Sequence, residues 1–131
     1  SSDLATGLGD FFVAGPGQAH RKLVGALAEQ TLRDLHIEVL VCGVDGITAT
    51  TGLTTHDEVE AHTNRTMIQR SKRVIVVTDG SKVGRTLLAR IAPVDVIHDL
   101  VTDSGADELE LEYLRAAGVR VHVVHDQGDS D

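Results

Sequence analysis

The strongest constraint on the fold comes from short apolar runs that recur between stretches with helical spacing. The runs are IEVLVCG (37–43), RVIVVT (73–78), VDVIHDLVT (94–102) and VRVHVV (119–124). Each is long enough for a strand and too short for a typical helix. Strands that are apolar on both faces are characteristic of parallel sheets covered by helices. The sequence therefore predicts an α/β fold, with a parallel sheet and helices on both faces.

The segments between these runs complete the predicted order of elements. FFVA (11–14) is predicted as another strand, and apolar residues at helical spacing predict helices over 22–35, 57–71 and 104–117. Ser104 or Asp103 is expected to cap the last of these, with Gly118 just past its end. The remaining segments are predicted as a short helix over RTLLARIA (85–92), a polar loop over GITATTGLTT (46–55), and a frayed acidic tail over 125–131.

Size and charge narrow the class of protein. A chain of 131 residues suits one domain, 1–131, and no apolar run approaches the roughly 20 residues that cross a bilayer. A net charge of -8 argues against direct contact with DNA, because phosphate contacts need clustered Lys and Arg. No secretory signal is visible, and the one cysteine, Cys42, is expected to be buried, so a cytoplasmic location is predicted.

Polar, glycine-bearing segments follow three of the predicted strands. They are Gly43-Val44-Asp45-Gly46, Asp79-Gly80-Ser81-Lys82 and Thr102-Asp103-Ser104-Gly105. In open α/β sheets, ligands bind outside the carboxyl ends of the strands. We therefore expect these three strand exits to face the same side and to form a candidate binding edge.

The side chains at these exits suit an anionic ligand that carries hydroxyl groups. Lys82 can neutralise a bound anion as a point charge, unless it is simply exposed or paired with Asp79. Asp45 can accept hydrogen bonds from sugar hydroxyls or can bond its own backbone in a turn. Ser81 fits either a helix cap or a ligand contact. The hydroxyls and backbone N–H groups of the loop over 48–55 can cradle a phosphate or a sugar.

Several common kinds of site are not indicated. The sequence contains no GxxxxGK[ST] or GxGxxG motif, and no GxSxG surrounds Ser71, Ser81 or Ser104. Glu58 and His62 stand four apart on a predicted helix, but such a pair is more often an ordinary surface pair than a metal site. His122 and His125 project to opposite faces of a strand. No metal, cofactor or catalytic residue is predicted.

The order of the segments resembles a known family. FFVAG, GALAEQTL, GVDGITATTGLTT, EAHTNRTMI, VIVVTDGSKVG and a late TD together resemble the effector-sensing domain of the DeoR family of transcriptional repressors, especially its glycerol-3-phosphate-repressor branch. The resemblance spans roughly residues 11–124. It implies a fold like that of ribose-5-phosphate isomerase, a phosphorylated sugar as effector and a homo-oligomer. It also implies a separate N-terminal helix-turn-helix domain that contacts DNA.

The resemblance also suggests how much of the sensor is present and which residues bind. The family sensor normally begins with an earlier strand–helix unit, so this chain is expected to be an N-terminally truncated, partial sensor domain. Asn64 falls where many members carry Lys, and no role is assigned to it. The family motifs at 43–47 and 78–84, with the loop over 48–55, place the following residues at the effector pocket: Gly43, Asp45, Gly46, Thr54, Thr55, Asp79, Ser81, Lys82 and Gly84.

Sugar-phosphate isomerases of the same fold provide the main alternative. They carry two acids in a GADE-like segment, a loop with a lysine, and an Asp-x-Ser-Lys motif. Asp45 matches the first acid, but Gly46 stands at the second and the 48–55 loop has no lysine. Moving a proton between carbons needs a positioned base and a group that stabilises the enediolate. Binding without turnover is therefore predicted, with an isomerase or related enzyme and a purely structural dimerisation module as alternatives.

Overall fold

The computed structural model describes residues 11–14 and 36–125. Its main element is a five-stranded sheet in which every neighbouring pair of strands is parallel. The strands, in spatial order, are β1 (Phe11–Ala14), β2 (Ile37–Cys42), β5 (Ser71–Val77), β7 (Asp99–Asp103) and β8 (Arg120–Val124). Because all five run the same way, their carboxyl ends lie along one side, here called the carboxyl edge, and their amino ends along the opposite amino edge.

A second, smaller sheet and two helices complete the described fold. The small sheet is antiparallel and consists of β3 (Gly46–Thr48), β4 (Gly52–Thr55) and β6 (Ala89–Ala92). The helices are α1 (Glu58–Gln69) and α2 (Glu108–Ala116), and 3-10 turns cover Gly80–Lys82 and Val94–Val96. Neither helix in the described ranges is long and apolar enough to cross a membrane.

The ends of both helices follow from local chemistry. The Asp57 carboxylate accepts from Val59 N at the start of α1, and the Asp107 carboxylate accepts from Glu110 N at the start of α2. Each cap satisfies a backbone donor that has no partner within the helix and is worth about 1 kcal/mol. Beyond α2, Gly118 takes a φ of 101°, a conformation that glycine adopts without a Cβ penalty.

One face of the main sheet forms the core with both described helices. Even-numbered strand residues such as Leu40, Val74, Val76 and Leu100 are at most 1% exposed. Buried residues of α1 and α2, which include Met67, Leu111 and Leu114, belong to the same apolar cluster. Removing apolar surface from water contributes about 25 cal/mol per Å² to the free energy of folding. We therefore expect this cluster to be the main source of the fold's stability.

The predicted α/β class with a parallel sheet is confirmed, as are the strands β1, β2, β5 and β8 and the helix that follows Asp57. Helices were predicted on both faces of the sheet, but the two described helices share one face, as right-handed crossovers between strands in sequential order require. The prediction of a loop over 46–55 was wrong. That segment is the β3–β4 hairpin, because Thr is a good strand former and its backbone pairs with a third strand. The prediction of a helix over 85–92 was also wrong, because pairing with β4 holds Ala89–Ala92 extended.

Two predicted boundaries change. The expected strand over 94–102 is a 3-10 turn followed by β7, which begins only at Asp99. The last helix begins at Glu108, so its cap is Asp107 rather than Asp103 or Ser104. The predicted helix over 22–35 and residues 126–131 of the predicted tail lie outside the described residues.

Candidate functional site

The three polar strand exits meet at the carboxyl edge, as the sequence predicted. The Thr78 hydroxyl at the end of β5 donates to the carbonyl oxygen of Val44, 3.1 Å away, just after β2. Gly80 N donates to the Asp103 carboxylate at the end of β7, also at 3.1 Å. These two bonds join the segments that follow β2, β5 and β7 into one continuous surface.

Asp45 is the most enclosed acid at this surface, with 8% of the residue exposed. Its Oδ2 accepts from the Thr55 hydroxyl at 2.7 Å and lies 3.6 Å from Nε2 of His56, an exposed side chain. The backbone N–H of Asp45 donates to the Thr54 carbonyl, which fixes the exit of β2 against β4. His56 was not predicted from the sequence. It directly follows Thr55, so a prediction that paired Thr55 with Asp45 would also have placed His56 near this carboxylate.

Gly46 leaves no room for a side chain. A Cβ at this position would lie 2.5 Å from the carbonyl oxygen of Arg85, 2.7 Å from the Thr54 hydroxyl and 2.8 Å from Leu87. The Thr54 hydroxyl itself accepts from Leu87 N at 3.0 Å. Thr54 and Thr55 therefore point to opposite faces of β4, as neighbouring strand residues do, and only the Thr55 hydroxyl reaches Asp45.

Asp79 shapes the turn that follows β5. Its carboxylate accepts from Ser81 N at 3.0 Å and from the Ser81 hydroxyl. The hydroxyl bond is the largest cause of a lowered pKa for Asp79, and the charges of Lys82 and Arg85 lower it further. Ser81 is thus engaged in the turn, and Asp79 presents an ionised, exposed carboxylate at the edge.

Lys82 is half-buried, and within the described residues its ammonium forms no ion pair. Asp79 stays beyond ion-pair distance, so the pairing considered from the sequence is not made. The segment that follows Lys82 is fixed to β3, because Gly84 N donates to the Ile47 carbonyl at 2.8 Å. Gly84 takes a φ of 95° there. A pinned backbone thus carries a cation that makes no direct ion pair with the described residues, although its charge still acts on Asp79.

A hollow of about 260 Å³ opens at the carboxyl edge between the ends of β5 and β7. It combines apolar walls with carboxylate and hydroxyl groups, an arrangement typical of small-molecule sites. Gly43, immediately after β2, is half-buried near the same edge. The residues that line the hollow are Val77, Thr78, Asp79, Val101, Thr102, Asp103 and Val124.

The amino edge carries a charged cluster that sequence reasoning missed. Asp99, only 3% exposed, accepts from Arg73 at 2.9 Å and lies 2.9 Å from Nε2 of His122, with Arg120 at 3.9 Å. The His122 bond, followed by Arg73, holds the pKa of Asp99 below its usual range. The strand register brings these residues together, because Asp99 aligns with Ile75 and Arg120, and Arg73 lies two residues before Ile75 on the same face of β5.

Other candidate ligands from the sequence do not assemble into a metal site in the described ranges. No group of three or more His, Cys, Asp or Glu side chains is close enough there to hold a metal ion. Cys42 is buried, as predicted, and burial raises the pKa of its thiol to about 12, so it remains a protonated core residue. Asn64, with 4% exposure, lies within the buried side of α1.

The parallel sheet and its polar carboxyl edge define an α/β domain of the class in which ligands bind outside the carboxyl ends of the strands. Residues 15–104 match the family model described as the DeoR C terminal sensor domain, and the chain belongs to this family. The matched model describes a sensor domain, a regulatory unit rather than an enzyme, and the relatives named below carry the names of transcriptional regulators or repressors.

Named relatives agree with this family. A protein of Escherichia coli O157:H7, whose name describes an aga operon transcriptional repressor, is 43% identical over 76% of this chain and 37% of its own length. The HTH-type transcriptional regulator GlpR of Haloferax volcanii is 32% identical over 77% of the chain and 40% of its own length. The HTH-type transcriptional repressor GlcR of Bacillus subtilis is 31% identical over 86% and 43%. The chain thus spans about two fifths of the length of these relatives.

Proposed function

We propose that this domain binds a phosphorylated sugar or sugar derivative at the carboxyl edge without converting it, and that binding regulates a DeoR-type repressor of sugar or glycerol metabolism. The observation that carries the proposal is Lys82. Lys82 is a half-buried residue on a turn pinned by Gly84, its ammonium makes no ion pair with the described residues, and it can therefore receive an anion. Charge-assisted hydrogen bonds to a phosphate are worth roughly 1.5–3 kcal/mol.

In this proposal the sugar hydroxyls would be received by the carboxylates of Asp45 and Asp79, which follow β2 and β5 at the carboxyl edge. Oδ2 of Asp45 accepts from the Thr55 hydroxyl, which fixes the carboxylate and leaves Oδ1 as the acceptor for a ligand hydroxyl in this proposal. Asp79 is ionised and exposed, and its lowered pKa keeps it an acceptor throughout the physiological range. A cation and carboxylate acceptors on segments that leave the same edge of the sheet would match a ligand with one phosphate and several hydroxyls.

Binding without turnover is supported by the packing around Gly46. A second carboxylate at this position would collide with the Arg85 carbonyl at 2.5 Å, and the β3–β4 hairpin contains no lysine. Proton transfer between carbons of a sugar phosphate needs both a base and a stabilising cation close to the reacting carbons. This arrangement favours a ligand that is held and released unchanged.

Regulation would follow from a difference in affinity between two states of the full-length protein. An effector moves such an equilibrium only as far as it binds one state more tightly. In this proposal a helix-turn-helix domain N-terminal to the sensor contacts DNA, and the sensor domains associate into a homo-oligomer. The net charge of -8 in this chain is consistent with leaving DNA contact to another domain.

The proposal is tested by calorimetric titration of the chain with glycerol-3-phosphate, fructose-1-phosphate and other ketose phosphates, followed by analysis of the recovered ligand. The test variant is Lys82→Ala. Lys72→Ala is the matched control, because Lys72 lies at the amino edge and its ammonium is already paired with Glu38 at 3.2 Å.

We expect one phosphate to bind and to be recovered unchanged. Lys82→Ala should weaken that binding by roughly 10- to 100-fold, the equivalent of one charge-assisted contact, while Lys72→Ala leaves it unaltered. Conversion of the ligand would refute a sensor that binds without turnover. Equal losses in both variants would show that Lys82 has no specific role, and silence across the panel would favour a structural dimerisation module.

A further inference from the structure

A second hollow, of about 440 Å³, lies between the last turns of α1 and strand β6. We call it the arginine groove. Most of its lining is apolar, it includes Arg65 and Arg90, and none of the described residues that line it is an acid. The lining residues are Arg65, Ile68, Gln69, Arg90, Ile91, Ala92, Pro93 and Val96.

Both arginines that line this groove lack an acidic partner in the part of the chain that the structure describes. Arg65 donates only to carbonyl oxygens, from Nε to Ile91 at 2.9 Å and from Nη2 to Arg90 at 2.5 Å, and these bonds fix its guanidinium beside β6. The Arg90 side chain is exposed and forms no ion pair there. In a chain with 20 acids and 12 Lys and Arg, two neighbouring unpaired arginines are an unusual local charge.

The outer face of α2 has the complementary character. Leu109 and Tyr113 stand four apart and are 59% and 53% exposed, while Leu111 and Leu114 fill the core on the opposite side. Glu108 and Glu112 flank the exposed pair. We call these four residues (Leu109, Tyr113, Glu108 and Glu112) the α2 stripe. Glu112 pairs with Arg115 at 2.7 Å, but a surface pair of this kind is weak enough to exchange.

We propose that the α2 stripe of one copy of this chain docks into the arginine groove of a second copy, and that the reverse contact forms at the same time. Apolar anchors at positions i and i+4 entering a groove are a common mode of helix recognition. The two glutamates would meet the two arginines, which gives the contact its direction and register. A reciprocal pair of such contacts has twofold symmetry and closes as a dimer.

The same contact would place part of the dimer interface near the carboxyl edge. This link between the interface and effector binding rests on the function proposed above. Glu110 of α2 accepts from Ala49 N at 2.8 Å, in the turn between β3 and β4. The segment that leads into α2 begins at Asp103, which accepts from Gly80 N beside Lys82. A ligand at the carboxyl edge therefore touches segments that hold α2, and can bias docking of the stripe.

Sedimentation equilibrium of the 131-residue chain and of charge-reversal variants tests this interface. We expect a dimer for the unchanged chain, and a dissociation constant at least about tenfold higher for Arg90→Glu and for Glu108→Arg, because each places like charges opposite one another. The double variant Arg90→Glu with Glu108→Arg should recover most of the lost affinity. Lys72→Glu changes the net charge as much as Arg90→Glu does, and should leave dimerisation unaltered.

A chain that remains monomeric, a dimer that tolerates Arg90→Glu, or a double variant no better than the worse single one would each overturn the interface. Thermal unfolding of every variant identifies any that loses its fold. Calorimetry with the sugar phosphates separates this inference from the proposed function. If the interface fails and one phosphate still binds, the interface alone is wrong, whereas a dimer without any sugar-phosphate binding would contradict the proposed function.

Discussion

The charged side chains at the two edges of the main sheet differ in whether they are paired with opposite charges. At the amino edge, Asp99 is enclosed by two arginines and a histidine, and its lowered pKa records those contacts. At the carboxyl edge, Lys82 lacks an ion-pair partner among the described residues, and the carboxylates of Asp45 and Asp79 are held mainly by hydroxyl groups and backbone N–H groups.

The difference separates a structural role from a binding role. A charge that is surrounded by opposite charges within the fold is already satisfied, so it can contribute to stability but has little left to offer a ligand. A charge held in place by neutral donors and left unpaired can bind one. The ion pairs at the amino edge therefore link β5, β7 and β8, whereas the carboxyl edge is the surface that we propose for binding.

The largest loss of folding stability should come from adding a side chain at Gly80, where the turns after β5 and β7 are in backbone contact at the carboxyl edge. In Gly80→Ala, the new Cβ would lie 2.2 Å from Ala106 N and 2.4 Å from the Gly105 backbone, so the turn after β5 must separate from the turn after β7. Overpacking of this kind typically costs about 1–3 kcal/mol. Urea unfolding measures the loss. Ser104→Ala, an exposed change in the neighbouring turn, is the control and should lie within about 0.5 kcal/mol of the unchanged chain.

A smaller loss of folding stability should follow from removing the Asp99 carboxylate at the amino edge. Asp99→Ala leaves Arg73, Arg120 and His122 close together without an acid between them. Because these side chains are partly exposed, water compensates in part, and we expect a cost of roughly 1–2 kcal/mol. Urea unfolding again provides the measurement. If Asp99→Ala costs no more than an ordinary surface substitution, the Asp99 cluster does not stabilise the packing of β5, β7 and β8.

The contribution of Asp99 should also depend on pH in a defined direction. Its folded pKa lies below the ordinary value of 3.8, mainly because of His122 and Arg73. The stabilisation is therefore complete above the unfolded pKa and is lost as pH falls from about 4 through the folded pKa. The stability difference between the unchanged chain and Asp99→Asn, from urea unfolding at several pH values, should shrink below pH 4. A difference that stays constant would contradict the assignment.

The main sheet and its carboxyl edge were predictable from the sequence because both depend on local pattern. The run VIVVT indicates a buried strand by itself, and the rule that ligands bind at carboxyl ends then places Asp45 and Lys82 on one side. The capping residue Asp57 is likewise a local signal.

The errors arose where distant pairing decides the structure. RTLLARIA has apolar residues at helical spacing, but Ala89–Ala92 is extended because it pairs with β4, more than 30 residues earlier. The β3–β4 hairpin was missed because its residues are threonines and glycines without apolar alternation. The Asp99 cluster needs the register of three separate strands, which composition and spacing do not contain.

The smallest effect on stability should be that of Lys82→Ala, and this prediction is the sharpest test of the comparison. Lys82 and Lys72 are the two lysines in the described ranges, one unpaired at the carboxyl edge and the other paired with Glu38 at the amino end of β5. An exposed ion pair contributes little, and an unpaired lysine has no such pair to lose. Both alanine variants should therefore unfold within about 0.5 kcal/mol of the unchanged chain in the absence of ligand.

With a bound sugar phosphate present, the two lysine variants should diverge. A ligand that binds only the folded state raises stability by RT ln(1 + [L]/Kd), so a 10- to 100-fold weaker Kd removes up to about 1.4–2.8 kcal/mol of that gain in Lys82→Ala. Lys72→Ala should keep the whole gain. If Lys82→Ala instead destabilises the ligand-free chain by more than 1 kcal/mol, Lys82 serves the fold, and the two edges differ less than their charges indicate.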